Sequence, residues 1–467
     1  MKPAKLTRLI ALSFFAVLVS VQAQAFNPSQ SAQCQAHTQA LLEQAHSKNK
    51  QSLIRIKPLE GTRVEANGKP TTLRQAILNA KPDSLLLLEK GMYPLPVSQS
   101  GNEYTGLYIK NAGITLMGNS ANANDVIIET NYQDLGQTSG IVSVSGANVT
   151  IANLTLKRSI FHLIHLWNGA DNPLIHNVNL IDGGQQFLKA SPGKGTIQGG
   201  EVRCSQFLMT DAGRDNVWGY GKAKGWTTCY TGGIDTHSSY NWTIKNNRFE
   251  GIYCNADGVQ RPAHQQKAKH RDNQSYVGGL SEHAIHMWHS IEGTQHIIEN
   301  NQIIDCARGI GIGLMDKVYG GIVRNNMISS RFPGAKEHDV GIALYNAIGA
   351  KVLNNTIYYS HPSSYQNTIE ALHKESSKNL ITNNLTNRNI RLRSGAEATL
   401  QKNETRAGKR WFVDIDNNDL HLASCVYHPE IIGQGIELSE IQTDIDGDSR
   451  GKKPDIGADQ CNADRSS

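Results

Sequence analysis

GGIDTHSSYNWTIKNNRFEG, residues Gly232–Gly251, contains two short runs in which apolar and polar residues alternate, and the second runs into a pair of asparagines. Alternation with a period of two is the mark of a strand with one buried face. A strand this short cannot bury that face alone, so the fold depends on whether the pattern recurs. It does. NVTIANLTL (Asn148–Leu156), NPLIHNVNL (Asn172–Leu180), NWTIKNNRF (Asn241–Phe249) and QHIIENNQI (Gln295–Ile303) share it. So do GGIVRNNMI (Gly320–Ile328), AKVLNNTIY (Ala350–Tyr358) and KNLITNNLT (Lys378–Thr386). Between them a second form repeats: GGIDTH from Gly232, EHAIHMWH from Glu282, RGIGIGLM from Arg308, VGIALYN from Val340 and NTIEALH from Asn367. Equivalent positions recur about every 20–30 residues, the period of a solenoid. Asparagine at a fixed place fits a sharp bend, because it tolerates left-handed backbone angles and bonds neighbouring amides. Units of this size gain a core only by stacking. The expectation is an all-β chain with one domain, a parallel β-helix.

Before the repeats, Lys2, Lys5 and Arg8 precede an apolar run from Leu9 to Val21 and then Ala23-Gln24-Ala25. This is the layout of a secretory signal peptide over residues 1–25, with an apolar stretch too short for a bilayer span. An exported protein starting near Phe26, with no membrane span, is expected. Setting those three bases aside leaves 43 basic against 41 acidic side chains, a net charge of +2 that argues against a nucleic-acid partner. Seven cysteines in an oxidising compartment allow disulfides and leave one unpaired. Nothing in the pattern calls for an oligomer, and a monomer is expected.

The flanks divide the remaining chain. Residues 26–70 read as an N-terminal helical cap region, with SAQCQAHTQALLEQAH (Ser31–His46) as a helix over the open end. Residues 71–397 read as the β-helix, and 398–467 as an extension that closes it. TTLRQAILNAKPDSLLLLEKGMY (Thr71–Tyr93) reads as helix, Lys-Pro-Asp turn and buried strand. That opening resembles the start of secreted right-handed parallel β-helix proteins of the pectate-lyase-like superfamily. The resemblance spans most of the chain, implies the same right-handed solenoid, and speaks to fold far more than to reaction.

Aligning the second set of strands on their inward Ile or Leu gives the outward neighbours His165, Lys189, Asp235, His286, Gly311, Ala343 and Glu370. Two residues on come Trp167, Ser191, His237, Trp288, Gly313, Tyr345 and Leu372. Adjacent strands lie about 4.8 Å apart, so neighbours in each column touch. The expected site is therefore a solvent-facing patch of imidazoles, cations and indoles. Gly311 and Gly313 leave an open floor, with Arg308 close by. Glu282, His283 and Tyr345 line its edge, and Trp288 offers a sugar platform. A regular strand turns His286 away from His283 and His289, so no metal site is expected there. Asp444, Asp446, Asp448 and Asp455 resemble a calcium loop with its glycine misplaced and no closing Glu. The sequence requires no cofactor and leaves calcium open.

Asp235-Thr236-His237-Ser238 also resembles part of the Asp-Pro-His-Asp motif of secreted alginate C5-epimerases, matching Asp and His but neither Pro nor the second Asp. That resemblance implies a groove position for Asp235 and His237. Lyases and C5-epimerases of uronic acids both begin by removing the C5 proton beside a neutralised carboxylate. The expectation is a polysaccharide lyase for an acidic, uronate-containing polymer. His286 or His237 would act as base or acid, Lys189 and Arg308 as neutralisers, and Asp235 as the group orienting an imidazole. His165, Trp167, Trp288, Glu282, His283 and Tyr345 would bind substrate. The alternatives are a C5-epimerase, a non-catalytic carbohydrate-binding β-helix, and a glycoside hydrolase, which needs paired carboxylates.

Overall fold

The computed structural model describes residues 27–47, 52–99, 103–136, 140–217, 229–255, 259–260, 276–277, 279–334 and 337–461. The predicted signal segment and most of the stretch 255–279 lie outside them. Three parallel ladders stack their strands in sequence order. One aligns Ile244, Ile298, Val323, Val352, Ile381 and Leu400. The second aligns Phe207, Phe249, Ile303, Ile328 and Ile357. The third is a ten-stranded sheet in which Ile164, Leu188, Ile234, Ile285, Ile310, Ile342 and Ile369 follow one another. Apart from Leu400, which is exposed on the last rung, these side chains join one continuous core. Each contributes roughly 1.5–3 kcal/mol relative to leaving it in water. The fold is a parallel β-helix.

The asparagines do what their pattern implies. Asn153, Asn177, Asn246, Asn300, Asn325, Asn354 and Asn383 all take left-handed angles, with φ between 51° and 58°. The residue after the bend points inward. Asn247, Asn301, Asn326, Asn355, Asn384 and Asn403 form a ladder in which each Nδ2 donates to the Oδ1 of the next at 2.9–3.0 Å. A second donation from each Nδ2 goes to a backbone carbonyl of a preceding rung, as from Asn326 to Ile298 O.

Both flanks depart from expectation. The helix Ala32–Ser47 lies along the side of the first ladder, not over its end. Leu85, Leu87, Met117 and Ala152 form an outward apolar strip, which Leu42 and Ala45 cover. A disulfide from Cys34 to Cys204 fixes the helix there. The core is instead met by the helix Leu73–Leu78, whose Leu73, Ala76 and Ile77 join it. Parallel pairing starts earlier than residue 71, at Leu53 opposite Leu85, and runs past 397, with Leu400 opposite Ile381. The C-terminal segment then returns along the bends: Thr443 O accepts from Asn325, Asp455 O from Asn354, and Ile436 N donates to Asn383. It carries its own small core around Phe412, Leu420, Ile431 and Ile456. Two further disulfides join Cys229 to Cys254 and Cys425 to Cys461, and Cys306 is unpaired and buried.

Candidate functional site

On the ten-stranded sheet, His165 pairs with Lys189, Lys189 with Asp235, Asp235 with His286, and His286 with Gly311. The register is the one read from the sequence. Asp235 is its centre. Its Oδ1 accepts from Lys189 Nζ at 2.6 Å and lies 3.2 Å from His237 Nε2. Its Oδ2 accepts from Trp288 Nε1 at 2.9 Å and is 4.0 Å from His286 Nδ1.

The expectation of a solvent-facing column needs correction. These side chains leave the sheet on the side away from the apolar core, yet Asp235 is 2% exposed and His286 fully buried. Trp288 and His237 fold back over them, stacked on each other at 4.5 Å. His237 remains the accessible imidazole, its side chain one-third exposed. The sugar platform is corrected too: the Trp288 ring has His237 on it, His286 at 4.7 Å, and its N–H spent on Asp235.

A second correction concerns the glycine floor. Opposite Leu188, Ile234, Ile285 and Ile310 the pairing skips the preceding residue, and both Phe187 with Leu188 and Ala284 with Ile285 enter the core. Two inward residues in succession break the strict alternation, as a bulge does. The residue before them therefore rejoins the outer face. His283 comes round beside His286, with ring centroids 4.4 Å apart. Its ring fills the space over Gly311, where an added Cβ would sit 2.8 Å from Nε2. Arg308 follows His283 in the same column; its Nε donates to Asp339 at 3.2 Å and Nη1 to Ser281 O at 3.1 Å. Tyr345 meets the His283 ring edge-on at 6.1 Å. His289 lies away from His283 and His286, its Nε2 bonded to Asp316 and its ring tilted, 5.9 Å from that of His237.

His165 and Trp167 form a neighbouring group: their rings stack at 3.8 Å, and His165 Nε2 is 2.6 Å from Ser191 Oγ. The aspartates that resemble a calcium loop in the sequence serve here as turn caps. Asp444 accepts from the amides of Asp446, Asp448 and Gln460, and Asp455 from those of Gly433 and Cys461.

Burial and partners set the charges. Burial alone would raise the Asp235 carboxyl, but the Lys189 ammonium, then His237 and His286, hold it well below the usual range. Burial works against charge on Lys189, and Asp235 with Tyr230 outweighs it, so the amine stays protonated. Burial raises Glu282 and lowers His286 to about 4. His165 and His283 fall well below the ordinary imidazole value for the same reason. The cluster thus combines a fixed ion pair, neutral buried imidazoles and one accessible histidine on a carboxylate.

No family model matches the chain, and no curated protein matches its sequence. Solved structures do resemble it. Pectate lyase Pel9A superposes with a TM-score of 0.47 at 12% identity, covering 92% of this chain and 100% of that one. A PL6 alginate lyase in complex with a trisaccharide gives 0.36 at 14%, covering 78% and 64%. The A-module of the mannuronan C-5 epimerase AlgE4 from Azotobacter vinelandii gives 0.29 at 13%, covering 72% and 94%. All are parallel β-helix proteins, the class that the sequence resembled. Likeness at this level carries no argument about the reaction.

Two residues close to the cluster went unread in the sequence. Tyr230 bears electrostatically on Lys189, Asp235 and Glu282, and burial raises its phenol. It sits just before its strand, next to the disulfide-bonded Cys229, outside any alternating pattern. Asp339 similarly precedes its strand by a few residues and pairs with Arg308.

Proposed function

We propose that the protein is an exported lyase that cleaves an acidic, uronate-containing polysaccharide by β-elimination. The observation that carries this reading is the Asp235–His237 pair: an ionised, buried carboxylate 3.2 Å from a partly exposed imidazole. His237 takes the C5 proton, and Asp235 orients the ring and steadies the imidazolium that forms. The C5–H electron pair becomes the C4–C5 double bond, and the C4–O4 pair leaves with O4. The Tyr230 phenol, kept protonated by burial, supplies the proton to that oxygen. Arg308 adds positive charge near the uronate carboxylate. His286 gives up the base role assigned from sequence, since its side chain is 1% exposed and its Nε2 bonds Gly313 O at 2.9 Å. Three disulfides fit an oxidising compartment, and among the described residues no helix is long and apolar enough to cross a membrane.

A panel of alginate, pectate, glycosaminoglycans and ulvan tests the proposal through the ultraviolet absorbance of the new double bond. No rise on any polymer, with C5 proton exchange seen by NMR, would move the answer to an epimerase. Glycoside hydrolysis is the second reading, favoured by one observation. Asp235 is held low and Glu282 high, and such a split can give one base and one acid. New reducing ends without new absorbance would decide for it. Binding without turnover would leave a carbohydrate-binding solenoid.

A further inference from the structure

We infer that Glu282, His283 and His286 form a binding site for a divalent transition metal ion of the zinc type. Each offers a ligand atom, and these atoms all lie within 4.8 Å of one another. Two imidazole nitrogens and one carboxylate oxygen form a three-ligand set that suits zinc and leaves a fourth position open.

The histidines are arranged as ligands rather than as structural groups. His283 is 4% exposed, and neither of its ring nitrogens has a hydrogen-bond partner. Buried polar atoms without partners are costly, and they are rare in folded proteins. His286 places Nε2 2.9 Å from Gly313 O, to which it donates as N–H, and this leaves Nδ1 as a lone pair with no partner. An outer carbonyl that fixes ring and tautomer is the usual support of a metal-binding imidazole. Gly311 keeps the space over its backbone free for the His283 ring. Lys189 is paired with Asp235 at 2.6 Å and Arg308 with Asp339 at 3.2 Å, and Arg308 also bears electrostatically on Glu282, so an ion at the trio would share that carboxylate with it. The stacked irregularity in the strands assembles the trio, which a regular strand would split between two faces.

Binding of the ion does not depend on the lyase reading. Its role does: at the open position the metal would take the uronate carboxylate and stabilise the charge that develops when C5 loses its proton.

The test is a cobalt(II) titration of the chelator-treated, full-length protein, followed by visible absorption. One equivalent of Co²⁺ per chain, with the intense bands of a low-coordinate site that zinc abolishes, is expected. His283→Ala and Glu282→Gln should each weaken binding at least 10-fold, whereas His289→Ala should leave it unchanged. Absence of stoichiometric Co²⁺ binding by the unaltered protein overturns the inference without reference to any variant. So does equal loss in His289→Ala, or full binding by a folded His283→Ala protein. Cobalt bound as described with no unsaturated product from any polymer sinks the lyase reading and leaves the metal site standing. Unsaturated product made at full rate by metal-free protein that binds no cobalt does the reverse.

Discussion

Two stacks of buried polar side chains climb the same solenoid, and they are built on opposite principles. In the bend ladder every amide from Asn247 to Asn384 donates to the next rung and accepts from the one before. In the column through Lys189, Asp235 and His286, charges are paired but ring nitrogens are left over on His165, His283 and His286. A saturated network fixes geometry and has nothing to offer a ligand. An incompletely satisfied one spends stability at a defined place, which is what binding or catalysis needs.

The sharpest way to break this contrast is Asp235→Ala, which leaves the Lys189 ammonium buried without its anion. A loss of about 3–5 kcal/mol is expected in denaturant unfolding, together with loss of turnover. The pair of changes Lys189→Met and Asp235→Leu should recover most of that stability and none of the activity. A single variant as stable as the parent would mean that the column is wet and open.

His237→Ala should separate the two stacks by function. Turnover is expected to fall roughly 10²–10⁴-fold, with an unfolding midpoint close to that of the parent. Equal kcat and KM in parent and variant would remove His237 from the mechanism. Asn326→Ala is the mirror image: Asn301 and Asn355 lose their partners, so stability drops by about 2–3 kcal/mol while kcat stays put. A large activity loss there would show that the stacks are not independent.

Buried imidazoles give the gentlest test. Burial alone would lower His421, but Asp419 and Asp446 override it and raise it to about 10. A group raised on folding stabilises below its unfolded value near 6.5, and that contribution fades as pH climbs through 10. His296 is lowered to about 4 by burial, so its contribution is present above 6.5 and disappears as pH falls through 4. Unfolding midpoints across this range should show both limbs, and His421→Gln should flatten the alkaline one alone.

The fold was legible because the solenoid repeats its instructions. The Asn bends and the inward Ile and Leu positions recur often enough to fix register, and with it the neighbours Lys189, Asp235 and His286. The site was legible only where strands alternate strictly. His283 was assigned away from His286 because period two was applied across the irregularity. Its trace was the column of small residues Gly233, Ala284, Gly309 and Gly341 preceding each inward aliphatic. Tyr230 and Asp339 precede their strands, where no periodicity points at anything. Exposure was misjudged because alternation tells which way a side chain leaves the sheet, not what packs above it. The flanking helix was misplaced because its docking strip, Leu85, Leu87 and Met117, is made of residues that also read as core.

The Cys34–Cys204 bridge closes a separation of 170 residues. A chain made from its N-terminus presents the first thiol long before the second exists, and Cys204 reaches its place only once several coils have wound. Maturation should therefore finish late, with the lateral helix sealed on after the shaft it lies against. Trapping free thiols during refolding would catch Cys34 as one of the last to disappear.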